Sequence, residues 1–243
     1  MKRVLVKTLG YPLVHTSLLG TMTSVKTGAP AVALTFDDGP DPVWTPRLLD
    51  LLKQYSARAT FFTVGENAER FPELIARIAE EGHALGNHAF SHCSLPLLPW
   101  KEQRMEIRRC SDLLGPQAAG LFRPPYGHQT LKSRLAARCE KQRVVVWSAE
   151  IGDWRKQDVQ TLRHALRESL APGAVILLHD SIHLSADVTP GPDLQPDRGR
   201  VFEALKSVLK ETAGTFQYLT LPELMQAGSP QWSSWFRFSR NVA

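Results

Sequence analysis

The sequence predicts one α/β domain folded as a barrel of about seven βα units, in which parallel strands are surrounded by helices as in a TIM barrel. Short apolar runs alternate with amphipathic stretches about seven times along the chain. The composition does not shift between these units, and there is no repeat or low-complexity segment. A length of 243 residues suits a single barrel. An open doubly wound sheet is the alternative fold.

The strands are assigned to apolar runs that end at turn residues. In order, they are Ala31–Phe36, Ala59–Val64, His83–Gly86, Gly120–Phe122, Val144–Trp147, Ala174–Leu178 and Phe216–Leu219. The helices are assigned to stretches whose apolar residues recur with helical spacing. They are Val43–Tyr55, Pro72–Glu81, Trp100–Leu114, Thr130–Cys139, Val159–Leu170, Gly199–Lys210 and Pro222–Gln226. The Pro- and Gly-rich stretch Ser181–Arg198 is expected to be a long loop on the face where barrel enzymes build their active sites.

Composition excludes several classes of protein. Hydrophobic residues make up 43% and charged residues 22%, which is typical of a globular domain, and no apolar run is long enough for a transmembrane helix. A net charge of +5 would help approach to an anionic polymer, but a solvated surface with a small excess of arginine is the favoured interpretation. The sequence contains no basic run interleaved with aromatic residues, so nothing in it indicates nucleic-acid binding. Cys93, Cys110 and Cys139 fit no disulfide or zinc-ribbon pattern, and indicate thiols in a reducing compartment.

The chain is divided into three parts: a leader at residues 1–29, a domain at 30–228 and a C-terminal tail at 229–243. The basic residues near the N-terminus resemble the start of a signal peptide. The apolar stretch after them is broken by proline and glycine, and no clear cleavage site follows. A cytoplasmic location is therefore expected, with an exported or envelope-associated protein as the alternative.

Carboxylates and histidines follow two of the predicted strands. Asp37 and Asp38 come directly after the first strand, where adjacent carboxylates raise each other's pKa unless a cation is bound. His88 and His92 are four residues apart, a spacing at which two imidazoles can bind one metal ion. Together these residues predict a catalytic metal site with positions open to water. An Asp-rich turn and two unrelated surface histidines are the alternative interpretation.

Three later segments also follow strands. Arg123 begins the segment RPPYG, whose prolines can fix a peptide N–H where negative charge develops, while the arginine can pair with a carboxylate. His179 directly follows the sixth strand, and the segment Glu150–Trp154 follows the fifth. A histidine held near carboxylates can stay protonated and act as a general acid. A stiff surface turn and a capping or core histidine are the structural alternatives.

The motifs TFDDGP, HAFSH and RPPYG, the segment Glu150–Trp154 and the segment Leu177–His179 resemble those of the polysaccharide deacetylase family, with its NodB homology domain, in order and spacing. The resemblance extends over roughly residues 30 to 225. It implies a distorted (β/α)7 barrel and metal-dependent removal of acetyl groups from a polysaccharide, oligosaccharide or glycan precursor. N-acetyl groups of an amino sugar are the expected target. The partner would be this acetylated carbohydrate and no nucleic acid, and the oligomeric state is left open.

The resemblance also implies roles for individual residues. Asp37 is expected to be the general base and His179 the general acid, with a metal-bound water as the nucleophile. The metal is expected to be Zn²⁺, with Co²⁺, Ni²⁺ or Mn²⁺ as alternatives. The remaining roles are metal binding by Asp38, His88 and His92, orientation of Asp37 by Arg123, oxyanion binding by the Tyr126 N–H, tuning of His179 by Asp153 and Glu150, and an acetyl-methyl pocket lined by Trp154 and Leu177.

Two positions depart from the family pattern. Glu150 stands where the family usually has Asp, which lengthens the carboxylate arm by one methylene. Ala89 stands where the family usually has Ser or Thr, which removes a hydroxyl beside the metal site but no ligand. Two other hypotheses are an amide or imide hydrolase for a small non-sugar substrate and a glycan-binding module without catalytic activity. The presence of Asp37, His179 and all the expected metal ligands favours the deacetylase.

Overall fold

The computed structural model describes residues 16–184 and 191–235. Half of the predicted leader, the middle of the loop Ser181–Arg198 and the end of the predicted tail therefore lie outside the described residues. The strands are β1 Thr21–Lys26, β2 Ala31–Asp37, β3 Ala59–Thr63, β4 Ala84–Asn87, β5 Ala118–Phe122, β6 Arg143–Val144, β7 Ala149–Glu150, β8 Val175–His179, β9 Gln217–Tyr218 and β10 Ser229–Ser233. The helices are α1 Trp44–Gln54, α2 Gly65–Arg70, α3 Pro72–Glu80, α4 Trp100–Leu114, α5 Leu131–Cys139, α6 Val159–Glu168, α7 Gly199–Glu211 and α8 Leu221–Gln226.

The parallel sheet has the strand order β6-β5-β4-β3-β2-β8-β7, and β9 also pairs with β2. Its two outer strands, β6 and β7, are separated in the chain only by residues 145–148. In a flat sheet of this size they would lie about 29 Å apart, because neighbouring strands are about 4.8 Å apart. The chain from Val144 to Ala149 spans at most about 18 Å, so the sheet must curl. The barrel prediction is confirmed, and the open doubly wound sheet is excluded.

A single segment closes this barrel. The N–H of Val145 donates to Phe122 of β5, and three residues later the N–H of Ser148 donates to Val175 of β8. The predicted continuous strand Val144–Trp147 is therefore wrong: the segment bonds to one edge of the sheet at its start and to the other edge at its end. The sequence is equally apolar throughout, and so carries no sign of this change of partner.

The alternation of side chains along β2 determines which of them enter the barrel. Leu34 and Phe36 pack in the cluster shared with the outer helices. Thr35 and Asp37 lie on the opposite face, inside the barrel. In the pairing between β2 and β8, His179 lies opposite Asp37. The barrel thus brings two ionisable residues together at its carboxyl end, although they are far apart in the sequence.

An antiparallel ribbon of β1 and β10 was not predicted. It lies outside residues 30–228, the range predicted for the domain. Met22 and Val25 of β1 pack with Leu221 and Leu224 of α8 in a cluster that includes the amino end of β2. The ribbon therefore contributes to the core at the end of the barrel opposite Asp37.

The other predicted helices and strands are present with shifted ends, and α2 is additional. Its sequence, GENAER, is polar and has no helical spacing of apolar residues. The N–H groups of Gly65 and Glu66 in its first turn donate to Ala89 and Phe90. No helix in residues 16–184 or 191–235 is long and apolar enough to cross a membrane.

We expect Gly173→Ala to lower the free energy of unfolding by about 2–3 kcal/mol. Gly173 has a φ of +81°, and its carbonyl accepts a hydrogen bond from the N–H of Val25. An alanine here would incur about 1–2 kcal/mol for the left-handed backbone. Its Cβ would also overlap the carbonyl oxygen of Val25, which adds a packing cost.

Gly214→Ala is the matched control, because Gly214 has a φ of +78° and no atom near the place of a Cβ. Urea unfolding of the two variants and the unchanged protein measures the difference. Equal losses in both variants would show that the close approach of Gly173 to β1 does not contribute to stability.

Candidate active site

A sharp turn at the end of β2 separates two adjacent carboxylates. Asp37 is the last residue of the strand, and Asp38 has a φ of +77°. The side-chain amide of Asn67 donates to the carbonyl of Asp38 at 2.8 Å. A Cβ at Gly39 would overlap the carboxylate of Asp180, so any larger residue here would displace that side chain. The turn therefore directs Asp37 and Asp38 to different partners.

Asp38, His88 and His92 form a buried cluster whose potential ligand atoms lie within 4.8 Å of one another. The Nε2 atoms of His88 and His92 lie 3.4 Å and 3.1 Å from Asp38 Oδ1. The Nδ1 of His88 lies 2.7 Å from the carbonyl oxygen of Arg123. Because a carbonyl can only accept, Nδ1 carries the proton and Nε2 offers its lone pair to the cluster.

The charge balance of the cluster suits a cation. Burial raises the pKa of Asp38, but attraction to His92 and hydrogen bonds from the two rings, when these are protonated on Nε2, outweigh it, so the pKa lies well below its usual value. A bound cation would take the place of the Nε2 protons. Two imidazole nitrogens and one carboxylate oxygen form a donor set typical of catalytic zinc, which keeps coordination positions open. The residues present therefore fit a divalent metal ion.

The loop between the two histidines is held by α4 and β4. The carboxylate of Glu106 accepts hydrogen bonds from the N–H groups of Phe90 and Ser91 and from the Ser91 hydroxyl. Asn87 accepts from the N–H of Ala89. The methyl group of Ala89 lies in an apolar cluster, so the loop keeps its shape without a hydroxyl at this departure from the family pattern.

A buried arginine holds Asp37. Arg123 Nη1 lies 2.6 Å from Asp37 Oδ1 and 2.8 Å from Thr35 Oγ1, and its guanidinium carbon is 4.1 Å from the ring centre of Phe62. Burial lowers the pKa of Arg123, and the charge of Asp37 opposes this. The second oxygen of Asp37 lies 3.7 Å from His88 Nε2. One oxygen of Asp37 thus contacts the arginine, and the other lies beside the potential metal ligands.

His179 is held by a second carboxylate. Its Nδ1 lies 2.8 Å from Asp153 Oδ1, and its backbone N–H donates to Asp153 Oδ2 at 2.9 Å. Burial lowers the pKa of His179, but Asp153 above all, and then Asp38 and Asp37, raise it to about 9. The imidazole is therefore protonated at neutral pH and loses its proton as the pH rises through about 9. This is the protonation state that a general acid needs.

Glu150 does not join this arrangement. It is exposed, and its backbone pairs with Leu177 of β8. In the described part of the chain it has no hydrogen bond or ion pair with Arg123 or His179, and it does not contribute to the raised pKa of His179. The geometry gives no support to the expectation that Glu150 tunes the histidine, and leaves that role to Asp153.

Apolar side chains form a wall beside His179. Leu177 and Trp147 are buried together, and Trp154 packs against them. The ring of Trp154 meets the His179 ring edge-on, with centroids 5.6 Å apart. Trp235, which follows β10 and was not predicted to be near the site, packs on the same cluster. The expected pocket residues Trp154 and Leu177 are thus brought together.

Four non-glycine residues of the site have a left-handed backbone. Their φ angles are 77° at Asp38, 64° at Ala89, 55° at His92 and 58° at Tyr126. Each such conformation costs about 1–2 kcal/mol for a residue with a Cβ, and persists only where the surrounding structure imposes it. The ring centroids of Tyr126 and His92 are 4.7 Å apart. This contact links the RPPYG loop to the potential metal ligands.

Several polar residues near the site were not predicted: Asn67, Asp180, His183 and Arg198. The backbone N–H of His183 donates to Asp38 Oδ2 at 3.0 Å. Burial raises the pKa of Asp180 to about 7, with a smaller contribution from the charge of Asp38. Asp180 directly follows His179, so its position in the sequence was an available signal. Arg198 is the last residue of the predicted loop Ser181–Arg198 and belongs to no recognised motif, so the sequence offered no such signal for it.

The fold and the site together define a barrel hydrolase. In its site, the carboxylate of Asp37 and the imidazole of His179 lie beside the three potential metal ligands Asp38, His88 and His92. The chain belongs to the polysaccharide deacetylase family: the model described as polysaccharide deacetylase matches residues 24–145. This match confirms the family that the motifs indicated. It also confirms the expected type of enzyme, a carbohydrate deacetylase.

Relatives and solved structures agree with this assignment. The chain is 40% identical over 202 residues to a peptidoglycan-N-acetylglucosamine deacetylase of Bacillus cereus, covering 80% of this chain and 68% of the relative. It is 36% identical over 166 residues to a chitooligosaccharide deacetylase of Sinorhizobium fredii, covering 67% and 77%. The crystal structure of a peptidoglycan N-acetylglucosamine deacetylase in complex with a naphthalenyl benzamide matches with a TM-score of 0.75 at 33% identity, covering 86% of this chain and 94% of that one.

We expect the protein to bind one divalent ion per chain, and His92→Ala to lose it, because the variant keeps only two of the clustered ligands. His164→Ala is the control, since His164 is exposed on α6. Elemental analysis of proteins purified with added Zn²⁺ measures the metal content. Equal metal in all three proteins would remove His92 from the site.

Proposed function

We propose that the protein removes N-acetyl groups from a glycan containing N-acetylglucosamine, and that Asp38, His88 and His92 hold a Zn²⁺ ion for this reaction. One observation carries the proposal: Asp37 and His179 lie opposite each other on adjacent strands, beside this cluster. The names of the relatives, which are peptidoglycan and chitooligosaccharide deacetylases, support the choice of substrate.

A divalent ion bound here would polarise the acetyl carbonyl and lower the pKa of a water molecule. Asp37 is placed to take a proton from the attacking water through Oδ2, because Arg123 holds Oδ1. The backbone N–H of Tyr126 is the proposed donor to the developing oxyanion. Such a donor contributes about 3–4 kcal/mol in other hydrolases.

The second half of the reaction needs a proton on the leaving nitrogen. Nδ1 of His179 is directed to Asp153, so Nε2 is the atom available to the substrate. We assign it the delivery of a proton to the amine nitrogen as the carbon–nitrogen bond breaks. Trp154 and Leu177 provide an apolar wall to which we assign the acetyl methyl group, because apolar side chains exclude water from it.

The choice between nitrogen- and oxygen-linked acetyl groups follows from the acid. An amine leaves poorly without a proton, and the raised pKa of His179 supplies a proton donor at neutral pH.

The cytoplasmic location expected from the N-terminal sequence stays a prediction.

Acetate release tests the function. The metal-loaded protein is incubated with N-acetylglucosamine oligomers and, separately, with peptidoglycan fragments, and acetate is measured enzymatically. We expect release from at least one of these substrates and its abolition by a chelator. Absence of release from both, by a protein that contains its metal, would refute the proposal.

We expect Asp37→Asn to retain the metal ion and to lose about 10²–10⁴-fold in turnover, the usual contribution of general base catalysis. Asparagine has nearly the same shape but cannot take the proton. Asp112→Asn, at an exposed position on α4, is the control. The rate of acetate release is measured at equal metal content, and near-normal turnover by Asp37→Asn would remove Asp37 from the role of base.

We expect His179→Ala to lose about 10²–10⁴-fold on an N-acetyl amide and less than about 10-fold on an aryl acetate ester. A phenolate leaves without protonation, whereas an amine does not. The two rates are measured on the same preparation. Equal losses on both substrates would mean that His179 maintains the structure of the site and does not donate a proton.

A further inference from the structure

A second arginine, Arg198, is buried beside the residues that hold His179. It lies directly before α7, and both it and Asp153 are fully inaccessible to solvent. Its Nη1 donates to the backbone carbonyl of Asp153 at 3.0 Å and lies 3.4 Å from Asp153 Oδ2. Its Nε donates to the carbonyl of Pro196 at 3.2 Å. One guanidinium thus contacts both the backbone and the carboxylate of Asp153.

The segment that carries Arg198 is fastened along the segment that carries Asp153. The N–H of Gln195 donates to the carbonyl of Trp154 at 2.8 Å, and the N–H of Lys156 donates to the carbonyl of Asp193 at 2.9 Å. These hydrogen bonds align residues 193–195 with residues 154–156, and this alignment ends three positions before Arg198. The approach of Arg198 to Asp153 is therefore built into the backbone and does not depend on one side-chain rotamer.

The two oxygens of Asp153 have different partners. Oδ1 accepts from Nδ1 of His179, while Oδ2 receives the backbone N–H of His179 and faces Arg198. A carboxylate held at Oδ2 from two sides cannot rotate, so Oδ1 stays aimed at the imidazole. The positive charge of Arg198 also offsets part of the cost of burying the carboxylate of Asp153, which accepts the Nδ1–H of His179 and so orients the ring.

The same device occurs at Asp37, where Arg123 holds one carboxylate oxygen and leaves the other for chemistry. In each case a buried arginine fixes a buried aspartate. In one case the aspartate itself is proposed to react, and in the other it orients the group that reacts.

We propose that Arg198 is a positioning residue for the proton donor: by fixing Asp153 it holds Nε2 of His179 where the leaving nitrogen departs. The proposal rests on the assignment of His179 as the acid in the proposed deacetylation. It makes residues 193–198, which directly precede α7, part of proton delivery, although none of them belongs to a recognised motif.

The test compares an amide with an ester in Arg198→Gln. If Arg198 acts through the acid, the turnover on an N-acetyl amide falls about tenfold or more, the size expected from misplacing a catalytic group. The turnover on an aryl acetate ester, which needs no acid, changes less than about threefold. The KM for both substrates and the metal content stay near those of the unchanged protein.

Arg200→Gln is the matched control, because Arg200 lies two residues further on and is exposed, and its side chain donates to the carbonyl of Gln157 and not to Asp153. It is expected to leave both rates unchanged. Arg198→Lys, which keeps the positive charge, is expected to recover part of the amide rate. If Arg198→Gln does not fold, the same two rates are measured on Arg198→Met, which removes the charge and fills nearly the same space.

The ratio of amide to ester turnover does not depend on the folded fraction, because both rates come from one preparation. A ratio equal to that of the unchanged protein would overturn the proposal, whether both rates stay normal or both fall by the same factor. In the His179→Ala background, adding Arg198→Gln is expected to cause no further loss of amide turnover, because the two residues act as one unit. Failure of the unchanged protein to release acetate would instead refute the proposed function.

Discussion

The burial of negative charge at one end of the barrel is the constraint on which the rest of the site depends. Four carboxylates are buried there: Asp37, Asp38, Asp153 and Asp180. An ionised carboxylate loses several kcal/mol of hydration on burial unless a partner replaces the water. Arg123 and Arg198 supply this replacement for two of them, and the histidine cluster for a third. Asp180 has no such cation within hydrogen-bond distance among the described residues, and its raised pKa shows the cost of burial left uncompensated.

Much of the site could be predicted because the barrel converts sequence order into position. Each motif follows a strand, and the carboxyl ends of parallel strands converge on one face. Asp37 and His179 become neighbours for this reason, as do the segments that carry His88 and Arg123. Glu150 is the exception: it also ends a strand, but its side chain is exposed. A position at a strand end therefore selects candidates, and the alternation of side chains along the strand decides among them.

The features that could not be predicted depend on contacts between distant parts of the chain. The residues TMTSVK and SPQWS contain few apolar side chains and become strands only by pairing with each other. The left-handed conformations at Asp38, His92 and Tyr126 go against the local preference of these residue types, and the surrounding packing imposes them. Arg198 lies in a loop whose path is determined by hydrogen bonds to residues 154–156. In each case the sequence alone favours no particular partner.

The pairing of β2 has a consequence for synthesis of the chain on the ribosome. One neighbour, β3, is made soon after it, but the other, β8, follows much later: Thr35 and the carbonyl to which it donates, that of Ile176, are 141 residues apart. At about 5–20 residues per second, β2 waits roughly 7 to 30 s with one edge unpaired. This edge belongs to the apolar run AVALTF, and an exposed apolar edge pairs readily with other chains. The nascent protein is thus most vulnerable to aggregation before its last third is translated, so slower growth at low temperature or chaperones that bind extended apolar segments should increase the yield of folded protein.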